Sequence, residues 1–417
     1  MTESRVENSK RNILHVFMYQ IIKVILSFAN RIIFIKILGA IFLGINGLFS
    51  NLLAYLSMAD LGMETVMMYS LYKPLAEKNY KKVSAYLNLF NKVYNIIACV
   101  ILGLGLLIVP FLKYIINLPN DVDGIYIYYI LMLLNVASSY LFVYKITLLQ
   151  ADQKAHIINR YNSIFQIITF IFQIAILLLF KNYLFYLIIT IIFTFIANYV
   201  KAKQSDKIYG KMKSTAVTIS KEEKSEIIKN VKSIFMYKFG GVIQSNTDNI
   251  LTSIFVGTIV VGYYSNYALI IATVTSFITI LYNAIKPSVG NYIIKEDVAK
   301  QYNMFYILEN YNFCLISFCT ICFALLMPDF IAICFGKEYL LDNYTTFFII
   351  ANFYTSNIRQ NLWAFRETTG IFEKTKYITL ATAIINIILS IVGGIYFGIA
   401  GIMAATVIAR MIYAWWK

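Results

Sequence analysis

The chain has 417 residues, of which 59% are hydrophobic and 14% are charged, and its mean hydropathy is +0.68. A soluble globular chain carries about 25% charged residues, so this composition excludes a soluble globular protein. The formal net charge is +15, but its distribution over the chain, described below, assigns it to membrane topology and lipid contact and not to nucleic-acid binding.

Twelve apolar segments are each long enough, at about 20 residues, to cross a bilayer. The runs are continuous and lack the period-two alternation of an outer-membrane barrel, so we predict an all-α polytopic membrane protein with about 12 transmembrane helices. The segments lie near 13–38, 43–70, 86–110, 125–149, 162–180, 183–200, 234–256, 261–285, 304–328, 343–365, 378–394 and 398–414.

Lysine and arginine are distributed unequally over the loops between these segments. If the N-terminal side is the inner side, the inner loops hold 24 basic residues and the outer loops hold three, Lys113, Lys181 and Lys337. Because short cytoplasmic loops are enriched in Lys and Arg, we predict that both termini are cytoplasmic. Arg11 leads directly into a long apolar span, which predicts an N-terminus without a cleaved signal peptide.

The first span recurs about half a chain later. Residues 11–44 align with residues 229–262 without a gap, with 11 identities in 34 positions. The identities include an FMY triplet and both glycines of a G-x4-G pattern, which are Gly39 and Gly44 in the first copy and Gly257 and Gly262 in the second. This repeat predicts two related halves, and the even number of spans between the copies predicts a parallel repeat.

The repeat predicts a six-helix lobe at 1–200, a basic cytoplasmic linker at 201–233 and a second six-helix lobe at 234–417. The stretch EEKSEIIKNVK near the end of the linker is amphipathic. It is either a solvated helix that enters span seven or a regulatory, partner-binding segment.

Ionisable residues inside a span are costly, so they mark function unless they reach the interface. On the helix of span one, Lys23, Ser27, Asn30 and Arg31 form one polar stripe. Lys23 lies about 15 Å into the span at 1.5 Å per residue. The stripe either lines a cavity or packs against another span, whereas Lys36 is close enough to the outer interface to reach it.

The second copy keeps this stripe and changes its charge. Its positions carry Gly241, Ser245, Asp248 and Asn249. We therefore predict a central cavity that is cationic on one side and amide-plus-carboxylate on the other. Such a cavity suits an anion, for example a pyrophosphate or an acidic sugar.

Three further ionisable residues are candidates for coupling or gating. Asp60 and Glu64 lie four residues apart near the inner end of span two. Asp60 is a gating or cation-coupling carboxylate, or it is one half of a structural ion pair. Glu64 has the same role as Asp60, or it is solvated. Lys145 in span four is a weaker candidate because its side chain can reach the inner interface.

Span ten contains NFYTSNIRQNLWAFR, which is unusually polar for a transmembrane helix. We predict that Asn352, Ser356, Asn357 and Arg359 face protein or a cavity, where sugar hydroxyls fit as partners. Span nine carries a C-x4-C-x2-C cluster without His or acidic residues. We predict that these cysteines pack as small apolar side chains, and we predict no metal ligand in the chain.

Several stretches resemble the polysaccharide transporter family of lipid-linked oligosaccharide (Wzx-like) flippases, whose superfamily also contains multidrug/cation antiporters and lipid II flippases. They are LGAIFLGINGLFSNLLAYLSMADLG (38–62), YKITLLQADQKAHIIN (144–159), NTDNILTSIFVGTIVVGYYSNYALI (246–270) and PSVGN (287–291). The resemblance implies a six-plus-six bundle that moves undecaprenyl-pyrophosphate-linked oligosaccharide across the bacterial cytoplasmic membrane by alternating access. It places the protein in capsule, exopolysaccharide or O-antigen assembly.

The resemblance also implies partners and site residues. The expected partners are the lipid-linked oligosaccharide, the bilayer and polysaccharide polymerase or assembly proteins, with no nucleic acid and no cofactor other than a coupling Na⁺ or H⁺. The family's cavity positions correspond here to Lys23, Arg31, Asp60, Asp248 and Asn249. The family pattern continues into two further helices after the tryptophans at 415 and 416, so we expect a complete chain to extend beyond residue 417.

Two alternatives stay open. A cation-coupled multidrug antiporter of the same fold is expected to line its cavity mainly with carboxylates, whereas Lys and Arg predominate in span one. A membrane glycosyltransferase or polymerase is expected to carry a large outward loop with catalytic carboxylates. The longest outward loops here, near 111–124 and 329–342, are short, so we predict that the protein is not an enzyme.

Overall fold

The computed structural model describes residues 5–60, 62–118, 122–210, 219–369 and 376–415. These residues form α-helices joined by short turns and 3-10 segments, and no strand occurs among them. The all-α prediction is therefore confirmed. The helices are α1 (Arg5–Leu56), α2 (Met63–Ala76), α3 (Tyr80–Ile108), α4 (Leu112–Ile115), α5 (Ile125–Ala151), α6 (Ala155–Phe180), α7 (Tyr183–Tyr209), α8 (Lys221–Phe255), α9 (Thr258–Lys295), α10 (Val298–Cys334), α11 (Asn343–Asn357), α12 (Gln360–Thr369) and α13 (Lys376–Trp415).

Within the described ranges, eight helical stretches are long and apolar enough to cross a membrane. The stretch Val16–Leu56 contains parts of the first two predicted spans, and Ala381–Ile412 contains parts of the last two. The tenth predicted span is divided between α11 and α12, which are 15 and 10 residues long. The seventh lies in α8, where most side chains of the span fall outside the described set.

Two glycines interrupt the longest helical stretches. Gly39 in α1 has φ 78° and Gly398 in α13 has φ 59°, and both lie at kinks between two helical segments. A positive φ is strained for a residue that carries a Cβ atom, and glycine adopts it without that cost. Each glycine therefore marks the turn between two predicted spans.

The chain forms two compact units. Unit 1 comprises residues 1–39, 52–113 and 120–239, and unit 2 comprises residues 40–51, 114–119 and 240–417. Residues 40–51, which follow the kink at Gly39, thus pack with the second half of the chain. The division into lobes at 1–200 and 234–417 with a linker at 201–233 stays a prediction.

The described parts of the linker are helical and belong to unit 1. The first turn of α8 is closed by a capping box, in which Ser220 Oγ accepts a hydrogen bond from the Glu223 amide at 3.1 Å. The Glu223 carboxylate also pairs with Lys82 Nζ of α3 at 2.5 Å, and Ile227 is buried. The amphipathic start of α8 therefore docks on α3, and this contact favours neither a regulatory nor a purely connecting role.

Candidate functional site

Helices α1, α6 and α7 enclose a cavity of about 310 Å³ inside unit 1, which we call the unit 1 pocket. Two members of the predicted stripe, Ser27 and Asn30, line it. The other polar lining residues are Tyr19, Asn162, Gln166, Thr169, Gln173, Thr194, Asn198 and Lys201. Phenylalanine rings supply most of the apolar wall, at positions 165, 170 and 193.

A hydrogen-bond network fixes the Asn30 side chain. Its Nδ2 donates to Gln173 Oε1 and to the Tyr186 hydroxyl, both at 2.9 Å. Gln173 Nε2 in turn donates to Thr190 Oγ1 at 2.8 Å. Amide groups that bond to one another in an apolar surrounding hold α1, α6 and α7 in one register, so this network orients the wall of the pocket.

Lys201 is the cation of the unit 1 pocket. Its side chain is 8% exposed, and Nζ donates to Asn162 Oδ1 at 2.9 Å. Sequence reasoning placed Lys201 in the linker because it follows directly after the sixth predicted span. The helix α7 instead continues to Tyr209, which brings Lys201 into the protein interior. The sequence carried no signal for this position, because the apolar run ends at residue 200.

The other basic residues of the stripe lie differently. Lys23 and Lys36 are exposed on α1, and neither lines the unit 1 pocket. Arg31 is half-buried and interacts electrostatically with Tyr186. The structure thus brings Ser27 and Asn30 together with groups of α6 and α7. The cavity roles of Lys23, Arg31 and Lys36 stay predictions.

The coupling and gating candidates also belong to unit 1. Asp60 and Glu64 are half-buried and interact electrostatically with Tyr94 and Tyr140, whose rings stack with centroids 6.3 Å apart. Asp60 thus has aromatic hydroxyl groups beside it, and its role as a gate or as half of an ion pair stays open.

Lys145 takes part in a contact between helices. Its Nζ lies 2.6 Å from Asp206 Oδ2, so an ion pair joins α5 to α7. The aspartate side chain is 55% exposed, and exposed pairs of this kind stabilise a fold by at most about 1 kcal/mol. The gating role of Lys145 remains a prediction.

A second cavity of about 350 Å³ lies inside unit 2, between segments of α8, α9, α11 and α13, and we call it the unit 2 pocket. Asp248 and Asn357, both predicted site residues, line it. Its other polar lining residues are Tyr264, Thr275, Asn352, Ser356, Thr406 and Arg410. Asn249 is the next residue of α8, and its buried Oδ1 has no hydrogen-bond partner in the described part of the chain.

Oxygen atoms converge at the Asp248 end of the unit 2 pocket. Asp248 is 8% exposed, and the Thr406 hydroxyl lies 3.1 Å from each of its carboxylate oxygens. Asn386 Nδ2 donates to Thr406 Oγ1 at 2.9 Å, and Ser390 Oγ lies 3.4 Å from the same nitrogen. Asn386 Oδ1 is buried without a hydrogen-bond partner among the described residues.

Arg410 joins α13 to α11 and belongs to the same pocket. It donates to the Asn352 carbonyl at 2.9 Å and interacts electrostatically with Asp248. Its own carbonyl accepts from Arg359, and Asn357 donates to the Phe353 carbonyl at 2.9 Å. Span ten therefore turns its polar groups toward protein and cavity, as its composition indicates.

Sequence reasoning missed Arg410, although an ionisable residue inside span twelve met the criterion used for span one. The spacing of four residues from Thr406 was the further signal, since it places both side chains on one helix face. For metals, the described residues contain no group of three or more His, Cys, Asp or Glu that could hold an ion. The five cysteines are free thiols.

No protein-family model matches the sequence, and no curated protein matches it. Solved structures do match. A multidrug resistance MATE family transporter of the MOP superfamily, in an inward-facing conformation, has a TM-score of 0.68 at 11% identity over 94% of this chain and 92% of that one. The lipid II flippase MurJ, in an inward closed conformation, has a TM-score of 0.63 at 17% identity over 97% of this chain and 85% of that one. This chain has the fold that MATE transporters and MurJ share.

The eight apolar helical stretches of the described residues fit this fold, and the predicted all-α polytopic fold class is confirmed. A second MATE family structure, in an outward-facing conformation, matches over 98% of this chain with a TM-score of 0.63 and 12% identity. Identities this low show the fold and not the substrate. The resemblance to the polysaccharide transporter family therefore stays a prediction.

Proposed function

We propose that the protein is a flippase that moves undecaprenyl-pyrophosphate-linked oligosaccharide across the bacterial cytoplasmic membrane by alternating access. The observation that carries this proposal is the lining of the unit 1 pocket. Amides, hydroxyls, aromatic rings and one lysine line it, and Asp and Glu are absent from its described lining. Hydroxyl-rich sugars are bound by such neutral donors and acceptors. The positive charge of the lysine disfavours an organic cation, although aromatic rings are present.

The role follows from the fold together with this chemistry. Transport requires no covalent step, so the polar groups of the unit 1 pocket act as ligands for the substrate. For this reason we propose transport and not glycosyl transfer. Polymerase or assembly proteins are the partners expected for a flippase of this kind, and the cytoplasmic location of both termini belongs to the same proposal.

A coupling cation, Na⁺ or H⁺, fits the unit 2 pocket better than it fits the candidates near Asp60. Hard cations bind carboxylate, amide and hydroxyl oxygens. Asp248 and Thr406 supply a carboxylate and a hydroxyl, and the unpartnered Oδ1 of Asn386 supplies an amide oxygen nearby. We propose that a cation at Asp248 supplies the driving force for translocation.

The same carboxylate favours a second candidate, a cation-coupled antiporter of small molecules. A buried Asp248 in a cavity of about 350 Å³ could hold an organic cation directly. In that case Asp248 would bind the substrate, and the unit 1 pocket would not. The two candidates therefore differ in which pocket determines substrate choice.

Reconstitution separates them. Proteoliposomes would receive labelled polyprenyl-pyrophosphate-linked oligosaccharide or ethidium, with wild type, Arg31→Ala, Lys23→Ala and Gln166→Leu variants. Lys203→Ala is the control because Lys203 is exposed and does not line the unit 1 pocket. A flippase predicts translocation of the lipid by wild type and about tenfold slower translocation by Gln166→Leu and Arg31→Ala. Transport of ethidium without the lipid would reverse the assignment.

A further inference from the structure

We infer that Lys201 and the pocket around it bind the carboxylate of an acidic sugar in the transported oligosaccharide. This inference rests on the proposed flippase function and assigns a specificity to it. An acidic sugar is meant as a class, for example a uronic acid, which combines one carboxylate with several hydroxyls on a ring.

The charge of the unit 1 pocket comes from Lys201. Lys201 is 8% exposed and lies on α7, facing α6, where Asn162 Oδ1 is its one hydrogen-bond acceptor within the described residues. An ammonium group has three N–H donors, so two remain for a ligand. Among the described lining residues, no carboxylate neutralises this cation. Burial of an unpaired charge is costly, and an anionic ligand removes that cost.

Neutral side chains make up the rest of the described lining. Gln166 and Asn198 supply amides, and Thr169 and Thr194 supply hydroxyls, on the two helices that face each other across the pocket. Phe165 places an apolar ring in the same wall. A sugar ring presents hydroxyls around its edge and C–H groups on its faces, so both kinds of lining find a partner.

The volume of the unit 1 pocket limits the size of its ligand. Small-molecule sites range from about 300 to 1,000 Å³, and the unit 1 pocket, at about 310 Å³, lies at the lower end. It therefore takes one or two sugar rings and not a whole repeat unit.

The pyrophosphate of the lipid carrier is the other anion that could reach the pocket. Phosphate sites in proteins gather several donors, such as arginine forks or the amides of a helix N-terminus. Lys201 is instead the one cationic side chain in the described lining, and neutral amides and hydroxyls surround it. A single positive charge matches a single carboxylate better than it matches a pyrophosphate.

The test uses two polyprenyl-pyrophosphate-linked trisaccharides that differ only in one ring, glucuronic acid or glucose. Flipping rates in proteoliposomes would be compared for wild type, Lys201→Met, Lys201→Arg and the exposed control Lys203→Met. We expect Lys201→Met to flip the glucuronic acid substrate about tenfold more slowly while keeping the glucose substrate near the wild-type rate. Lys201→Arg should retain part of the activity on the acidic substrate, since it keeps the charge.

The glucose substrate is the internal control for folding. Equal losses on both substrates would overturn the inference, because they would indicate binding of the pyrophosphate or a structural role. Unchanged rates on both substrates would overturn it as well. If the wild-type protein moved neither lipid, both the proposed function and this inference would fail. If the wild-type protein flips both lipids and Lys201→Met has no selective effect, only this inference fails and the proposed function stands.

Discussion

Gly44 and Gly262, which occupy the same place in the two copies of the sequence repeat, pack against each other through their backbones. A Cβ atom on Gly262 would lie 2.9 Å from the Gly44 amide nitrogen and 3.3 Å from its Cα. A Cβ atom on Gly44 would collide with the carbonyl group of Thr258. Small residues allow helix backbones to approach closely in a membrane, where packing drives helix association. This contact inside unit 2 explains why both copies carry a glycine at this position.

Replacing Gly262 with alanine should destabilise the protein by about 1 to 3 kcal/mol, because the added methyl group has no space at this contact. Gly103→Ala is the matched control, since a Cβ atom there meets nothing within 4 Å and Gly103 lies inside helix α3. That substitution should be neutral or stabilising. Thermal unfolding of detergent-solubilised protein would measure both, and equal melting temperatures would refute the close contact.

Asp248→Asn should abolish the dependence of transport on a cation gradient. The substitution removes the negative charge but keeps a side chain of the same shape, to which Thr406 can still bond. Thr406→Val should weaken the cation dependence to a smaller degree, because it removes one oxygen. Transport in proteoliposomes under imposed Na⁺ or pH gradients is the measurement. Full cation dependence in Asp248→Asn would move the coupling site elsewhere.

The docking of α8 on α3 should weaken in acid. The hydrogen bond from Lys82 is the main cause that lowers the pKa of the Glu223 carboxyl below its ordinary value, so the folded state favours the ionised carboxylate. A lowered folded pKa contributes stability above the unfolded pKa, and that stability is lost as pH falls through the folded pKa. The protection factors of the amides at residues 221–232 should therefore fall below about pH 4.5, the ordinary value for this group.

Glu223→Gln should remove this pH dependence, whereas Glu222→Gln, at an exposed neighbouring position, should retain it. The exchange protection of the α8 amides between pH 6 and pH 3 distinguishes the two variants. Since the pair is partly exposed, with side-chain exposures of 39% and 30%, the effect should also diminish in high salt. An identical pH profile in both variants would contradict the assignment.

The orientation predicted from the basic residues can be tested directly. Cysteines introduced at Lys181 and Lys337 in a cysteine-free background should react with a membrane-impermeant maleimide in intact cells. Cysteines at Lys81 and Lys224 should react only after the membrane is permeabilised. All four positions are exposed, so burial does not explain a lack of labelling. The opposite labelling pattern would invert the topology and with it the direction assigned to transport.

Much of the fold could be predicted from the sequence, because the hydropathy of an apolar run by itself indicates a membrane-spanning helix. The run 183–200 is helical in the structure, as are the runs on either side of Gly39. The glycines at 39 and 398 lie at the kinks between predicted spans. These features depend on local chemistry, namely hydropathy and the conformational freedom of glycine.

The candidate site was predicted only in part. Helical spacing grouped Lys23 with Ser27 and Asn30, but Ser27 and Asn30 line the unit 1 pocket and the exposed Lys23 does not. Lys201 and Arg410 were missed. Lys201 stands beyond an apolar run, so the sequence alone did not place it among interior residues. Arg410 lies inside a predicted span and was overlooked.

The sequence by itself determined that this is a helical membrane protein, because every backbone polar group in hydrocarbon must be bonded within its own segment. It also determined where the glycine turns and the basic loops lie. Only the tertiary structure decided that Lys201 donates a hydrogen bond to Asn162, and that Thr406 donates one to Asp248, 158 residues away in the sequence. Such meetings depend on how distant helices are rotated and packed, which the periodicity of a single helix does not encode.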